Sequence, residues 1–276
     1  VHYRREGAVA RLILDHPPVN VLTSEVLDSL ERALELAEND PEARVVVLES
    51  AAAKSFAAGA DIRAMSSMGP EESRRHGRRG QQATERIERS PLPVIAAVHG
   101  SCLGGGTEII LACDFVIASE DAVFGQPEIK LGVMPGWGGT QRLPRRIGTA
   151  RAREWIMTGR SVPAAVAADQ GLVLRVVPRS ELLGAAGALA AELALQPATA
   201  LAAAKFCLQA GIDRGLDHGL ALELDLWHRL FATQDQKEGM RAFLEKRPAK
   251  VAPRSPGADS GAGFPWEPSG GSVGTR

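Results

Sequence analysis

Val94-Ile95-Ala96-Ala97-Val98-His99-Gly100-Ser101-Cys102-Leu103-Gly104-Gly105-Gly106-Thr107-Glu108-Ile109-Ile110-Leu111-Ala112-Cys113-Asp114 is the stretch whose reading decides the fold. It reads as an apolar strand ending at Val98, a glycine-rich turn, and an apolar helix with one acid near its start. Consecutive glycines let the backbone approach a ligand closely and adopt dihedrals barred to other residues. The helix directs unpaired N–H groups, and the positive end of its dipole, back toward the turn. Such a corner can hold an anion or a developing oxyanion. Glu108 stands where its carboxylate would share that space. A tight turn followed by a helix with a dipole-favourable acid accounts for the same residues, so this stretch alone leaves both readings open.

Outward from this corner, buried strands alternate with helices. Val9-Ala10-Arg11-Leu12-Ile13-Leu14 reads as a strand, stopped by Asp15-His16-Pro17-Pro18. Thr23 or Ser24 caps a helix whose Leu27, Leu30, Leu34 and Ala37 share one face, and Asn39-Asp40-Pro41 ends it. Residues 44–48, 93–98 and 115–118 are short apolar runs typical of strands covered on both faces. The class is therefore α/β. Residues 71–89 are polar and arginine-rich. Arg74, Arg75, Arg78 and Arg79 read as a solvated helix face, because Glu71, Glu72, Glu85 and Glu88 are interspersed; a phosphate-binding patch is the alternative.

Residues 122–140 read as one long loop punctuated by glycine and proline, the kind of segment that carries function. Helical segments are expected at 149–158 and 162–170, and a strand at 171–178. Beyond Glu181 only helical patterns follow, at 181–195, 198–210, 216–232 and 235–246. The expected organisation is a core over 1–195, a helical C-terminal region over 196–247, and a disordered tail over 248–276. That tail is rich in Pro, Gly and Ser, and Phe264-Pro265-Trp266 is its one sticky cluster.

The chain has 276 residues and a formal net charge of −1, which gives no general reason to expect nucleic-acid or membrane partners. Cys102, Cys113 and Cys207 form no CxxC pair and read as reduced residues of a cytoplasmic protein. No apolar run approaches the ~20 residues that span a bilayer. The charged start, Val1-His2-Tyr3-Arg4-Arg5-Glu6, is not followed by the apolar run of a signal peptide. The histidines have no metal-binding spacing, so no metal is expected. Outside the 248–276 tail GxSxG is missing, and so are GxxxxGK[ST] and a GxGxxG after the first strand. His99 ends a buried strand and reads as a satisfied core residue.

Two acids remain, Glu108 after the glycine turn and Glu128 in Gly125-Gln126-Pro127-Glu128. Two carboxyls in one apolar cleft push their ionisations apart, so one holds a proton while the other accepts one. That pairing suits general acid–base work on a carbon acid. Capping or pairing with an arginine is the structural alternative for each.

Four segments together, in order and spacing, resemble the enoyl-CoA hydratase/isomerase (crotonase) superfamily. They are Phe56-Ala57-Ala58-Gly59-Ala60-Asp61-Ile62, Gly104-Gly105-Gly106-Thr107-Glu108, Gly125-Gln126-Pro127-Glu128, and the run from Leu131-Gly132 through Pro135-Gly136-Trp137-Gly138-Gly139-Thr140-Gln141-Arg142-Leu143. The likeness runs from about Arg11 to Arg247 and includes Asn20. It implies a crotonase-like (ClpP/crotonase) spiral of ββα units with a helical C-terminal trimerisation region, in trimers or paired trimers. It also implies an acyl-CoA substrate whose thioester carbonyl lies between the N–H groups of Ala60 and Gly105. Ala58, Asp61, Ile62, Arg63, Gly136 and Trp137 would contact the substrate, with Arg63 where lysine is frequent and Trp137 where a small residue is common. The Trp137 ring would then narrow the acyl pocket.

Members with a glutamate at both acid positions resemble true hydratases, which add water across the 2,3 double bond of a 2-enoyl-CoA. The resemblance implies that Glu108 deprotonates the water, that Glu128 delivers hydrogen to C2, and that the Gly136 N–H helps to hold the water. Coenzyme A belongs to the substrate, so no cofactor is expected. A 3,2-enoyl-CoA isomerase or another acyl-CoA lyase on the same scaffold is the alternative, as is an RNA-binding relative supported only by the 74–79 arginines.

Overall fold

The computed structural model describes residues 1–252 and Arg254. The chain opens with a hairpin of β1 (His2–Glu6) and β2 (Val9–Leu14). The sequence gives β1 little signal, because His-Tyr-Arg-Arg-Glu is charged. It forms as an edge strand, where charged side chains remain solvated. β3 (Val21–Leu22) leads into α1 (Ser24–Asn39), whose cap is Thr23: its Oγ1 accepts the Val26 N–H at 3.3 Å. Leu27, Leu30, Leu34 and Ala37 are buried, as the helical spacing predicts.

The chain then winds in a spiral. β4 (Val45–Ser50) is followed by β5 (Ser55–Ala57), β6 (Gly59–Ala60), α2 (Ile62–Met65) and α3 (Pro70–Glu88). The next turn is β7 (Val94–Val98), β8 (Ser101–Leu103) and α4 (Gly105–Leu111). The third is β9 (Phe115–Ser119), β10 (Val123–Gly125), α5 (Gly139–Ile147) and α6 (Thr149–Thr158). β11 (Ser161–Pro163), α7 (Ala164–Asp169), β12 (Arg175–Val177) and α8 (Leu182–Ala194) complete it. In each turn the first strand joins a six-stranded sheet, ordered β1-β2-β4-β7-β9-β12 and parallel from β2 onward. The next joins a smaller sheet, β11-β10-β8-β5, and β3 pairs with β6.

Alternation along the parallel strands explains why they read as unbroken apolar runs. Val46, Leu48, Ala96 and Val98 face the main core with Phe56 and Phe124. Val45, Val47, Ile95, Ala97 and Ile117 face the other way, against Leu182, Ala186 and Ala190 of α8. Strands buried on both faces lose the polar alternation of a solvated sheet.

Three sequence expectations need correction here. The 122–140 segment is not one loop: it contains β10 and a 3₁₀ turn, Pro127–Leu131, and α5 begins at Gly139. Pro144 inside α5 and the glycines around it hide that helix from a propensity reading. The 162–170 helix begins as strand β11, and the 171–178 strand shortens to Arg175–Val177.

The helices after α8 are α9 (Ala198–Arg214), α10 (Leu216–Leu230) and α11 (Gln234–Leu244). Lys205 of α9 is tied to the core by an ion pair to Asp114 at 2.8 Å and a bond to the Leu92 carbonyl at 3.1 Å. The described part of the expected loose tail is docked. The Lys250 N–H donates to Glu238 at 3.0 Å and the Ala252 N–H to Asp235 at 2.8 Å, while Arg44 reaches the Ala252 carbonyl at 3.1 Å. The buried Arg254 guanidinium donates to the carbonyls of Ala37, Glu38 and Asp40, closing the C-terminal end of α1. The remainder of that tail, Phe264-Pro265-Trp266 included, lies outside the described residues. No single helix among the described residues is long and apolar enough to cross a membrane.

Candidate active site

The glycine corner is built between the two sheets and pinned on several sides. Gly104 has φ +53° and ψ −123°, a conformation that a side chain would strain. Its N–H donates to the Gly125 carbonyl at 2.9 Å, and its own carbonyl accepts from Gln126 Nε2 at 3.0 Å. Thr107 Oγ1 donates to the carbonyls of Cys102 at 2.7 Å and Gly125 at 3.0 Å, locking the first turn of α4 to both flanking strands. Gly105 opens α4, so its N–H has no partner within the helix.

The second expected donor arrives from the previous turn of the spiral. Gly59, at φ +95°, passes so close that a Cβ there would stand 3.0 Å from the Leu103 carbonyl and 3.5 Å from the Gly105 nitrogen. Ala60 follows it, paired in register with Leu22. The segment is held from below by Asn20, fully buried, whose Nδ2 donates to Ser50 Oγ at 2.8 Å and the Phe56 carbonyl at 2.9 Å. The Ala58 N–H donates to the Val19 carbonyl at 3.1 Å. Thus Ala60 and Gly105, distant in sequence, come to one place. The Asp61 carboxylate caps α2 by accepting the N–H groups of Arg63 at 2.9 Å and Ala64 at 3.1 Å, so that side chain has a structural task. Ile62 and Arg63 are exposed in α2.

Both acids lie at the corner. Glu108 is 2% exposed, and its Oε1 accepts the N–H groups of Trp137 at 2.7 Å and Gly139 at 2.8 Å. Burial pushes its pKa up to about 7; the two N–H bonds and Arg142 oppose this, and the charge of Glu128 adds to it. Glu128 sits in the 3₁₀ turn, with Oε1 only 3.1 Å from where a Cβ on Gly104 would stand. Its Oε2 is buried and has no hydrogen-bond partner, and burial raises its pKa too. The two environments differ in kind. Glu108 has donors that stabilise a carboxylate, whereas the orphan oxygen of Glu128 suits a neutral acid. Neither makes an ion pair with an arginine among the described residues, which removes the arginine-pairing alternative.

Gly136 is exposed and its carbonyl accepts from Gln81 at 3.1 Å, while the N–H groups aimed at Glu108 come from Trp137 and Gly139. Trp137 is buried, and its ring packs between two glycines, Gly80 of α3 and Gly105 of α4. Sequence reasoning also missed Gln126 and Arg142. Gln126 is fully buried and holds the Gly104 carbonyl; Arg142 donates to the Trp137 carbonyl at 3.1 Å and pairs with Glu88 at 2.6 Å. Both lie inside the quoted motifs, but their partners are remote. His99 is a satisfied core residue, with Nε2 at 2.8 Å from the Ala52 carbonyl. Arg79 pairs with Asp28 at 2.6 Å and Glu31 at 2.7 Å, and Arg78 with Glu85 at 3.4 Å, so half of the basic run is neutralised.

A ββα spiral that brings a buried and a half-buried carboxyl to one glycine-opened helix start defines a scaffold suited to acid–base chemistry. The chain belongs to the enoyl-CoA hydratase/isomerase family, whose model matches residues 4–252. It is 41% identical to the short-chain-enoyl-CoA hydratase of Clostridium acetobutylicum, over 88% of this chain and 94% of that one. It is 40% identical to the crotonyl-CoA hydratase of Syntrophomonas wolfei, over 89% and 95% of the two chains. Among solved structures, an enoyl-CoA hydratase from Bacillus anthracis superposes with a TM-score of 0.86 at 38% identity, covering 91% of this chain and 98% of that one.

Proposed function

We propose that this chain is an enoyl-CoA hydratase that adds water across the 2,3 double bond of a 2-enoyl-CoA to give the 3-hydroxyacyl-CoA. The observation that carries the reading is the pair of unlike carboxyls, one with two N–H donors and one with an unpartnered buried oxygen, at a single glycine corner. The thioester carbonyl accepts from the Ala60 and Gly105 N–H groups, which stabilise enolate-like charge; one such donor is worth about 3 kcal/mol in a transition state. Glu108 takes a proton from water as the oxygen bonds to C3. The C2–C3 π electrons move to C2 and the thioester oxygen, and Glu128 gives its proton to C2. Ala58, Ile62, Arg63 and the Gly136–Trp137 turn line the path of the thioester and its acyl chain. Water and enoyl thioester balance the product, so the chemistry calls on no further cofactor.

Crotonyl-CoA tests the proposal directly, because hydration removes the absorbance of the conjugated thioester. Loss of that absorbance is expected; absence of turnover with crotonyl-CoA and with longer 2-enoyl-CoA substrates rejects the reading.

The same reading gives a homotrimer or a dimer of trimers. Leu216, Leu220, Leu224 and Trp227 form one exposed stripe along α10, beside exposed Leu208 and Ile212 of α9. A contiguous apolar face of this kind is the mark of an interface. Light scattering should give three or six times the chain mass, and a monomer would refute it. The three free cysteines support a reducing, cytoplasmic compartment.

A further inference from the structure

The backbone of Trp137 is anchored on both sides. Its main-chain N–H donates to Glu108 Oε1 at 2.7 Å, and its main-chain carbonyl accepts from Thr84 Oγ1 at 2.9 Å and Arg142 at 3.1 Å. Between these anchors the ring fills the gap from α3 to α4. A Cβ on Gly80 would lie 2.2 Å from three indole atoms, and a Cβ on Gly105 2.5 Å from Cζ3 and 2.8 Å from Cε3. Both glycines are therefore required by the ring, the first at its pyrrole side and the second at its benzene side.

From this geometry we infer that Trp137, seated by Gly80, is the wall that sets the acyl-chain length limit. The inference rests on the hydratase reading for the direction of the substrate. The coenzyme A end enters at Ile62–Arg63, the carbonyl lies at Ala60 and Gly105, and C3 is within reach of Glu108. The next carbons run past Glu108, toward the residue bound to its carboxylate. There the indole lies against the Cα of Gly105, and carbons beyond about C4 meet it. Replacing the ring opens the space between α3 and α4 while keeping the backbone N–H that Glu108 accepts.

The test compares kcat/KM for 2-octenoyl-CoA and crotonyl-CoA in the full-length protein. The ratio rises about tenfold or more in Trp137→Ala, since each methylene accommodated in an apolar pocket carries roughly tenfold. Trp137→Leu follows in the same direction and guards against failure of the alanine variant to fold. In the wild-type background Gly80→Ala forces the indole toward Gly105 and lowers kcat/KM for crotonyl-CoA about tenfold. In the Trp137→Leu background the same methyl has no indole to strike, and its effect falls to less than about twofold. An unchanged octenoyl ratio in folded Trp137→Leu overturns the inference, and so does an equal effect of Gly80→Ala in both backgrounds. These failures are distinct from failure of the hydratase reading, which shows as no turnover of any 2-enoyl-CoA by the wild-type protein.

Discussion

Replacing Glu108 by glutamine should stabilise the folded protein above neutral pH while removing its catalytic base. Burial raises this carboxyl from 4.5 to about 7. At 1.36 kcal/mol per pKa unit, ionising it in the folded state costs roughly 3 kcal/mol relative to the unfolded chain. The sign follows from the raised value. The folded form is favoured while the group is protonated; that advantage is complete below pH 4.5 and is lost as the pH rises through about 7. Glutamine cannot ionise, and its amide oxygen can still accept the N–H groups of Trp137 and Gly139. An amide is a weaker acceptor than a carboxylate, so the net gain above neutral pH is smaller, about 1–2 kcal/mol.

For a chain of this size 1 kcal/mol moves Tm by about 2–4 °C, so Glu108→Gln melts about 3–6 °C above the wild type at pH 8. The gap closes toward pH 5. Scanning calorimetry across this range, at one fixed protein concentration because association itself raises Tm, reads the effect. A variant that melts below the wild type at pH 8, or a gap that does not change with pH, refutes the account of Glu108 as a desolvated carboxylate. Stability gained with activity lost would mark it as a group retained for chemistry.

The other predictions concern the same corner. If Glu108 must be ionised to act, kcat/KM for crotonyl-CoA rises with pH on an acidic limb near 7, the pair titrating together; a flat profile between pH 6 and 8 contradicts this. Glu128→Gln lowers kcat by about a hundredfold or more with its circular dichroism unchanged, and near-native turnover would remove the residue from the mechanism. Asn20→Ala removes the acceptor of the His16 N–H at 2.7 Å and the donor to Ser50 Oγ and to the buried Phe56 carbonyl. It also places alanine at φ +55°. A loss of about 3–5 kcal/mol is expected in urea unfolding, and a loss below about 1 kcal/mol would show that the strand carrying Ala60 is held by other contacts.

What could be read in the sequence was whatever neighbouring residues determine. The apolar runs of β4, β7 and β9, the spacing of Leu27, Leu30 and Leu34, and the glycine turn before Glu108 all announce themselves locally. β1 did not, because its place depends on Val9–Leu14 supplying a pairing edge rather than on its own charged residues. α5 did not, because tertiary packing of Leu143 and Ile147 overrides Pro144. The docking of Arg254 on the last carbonyls of α1 could not be read from composition, since a proline-, glycine- and serine-rich segment gives no hint of one buried guanidinium.

The site divides along the same line. Glu108 and Glu128 could be named, but what makes them different could not. Their unlike chemistry depends on two N–H groups from a loop far along the chain and on an oxygen that meets no donor. Gly80 is the sharpest case. In a helix rich in arginine and glutamate it reads as a helix-weakening residue on a solvated face. Only when the loop after Glu128 folds back and sets the Trp137 ring against it does its missing Cβ gain a reason. A helix glycine that costs about 1 kcal/mol of propensity is thereby tied to the same ring that presses on Gly105, the first residue of the helix that carries Glu108. Helix weakening at Gly80 and the room beside the glycine corner are thus set by one side chain.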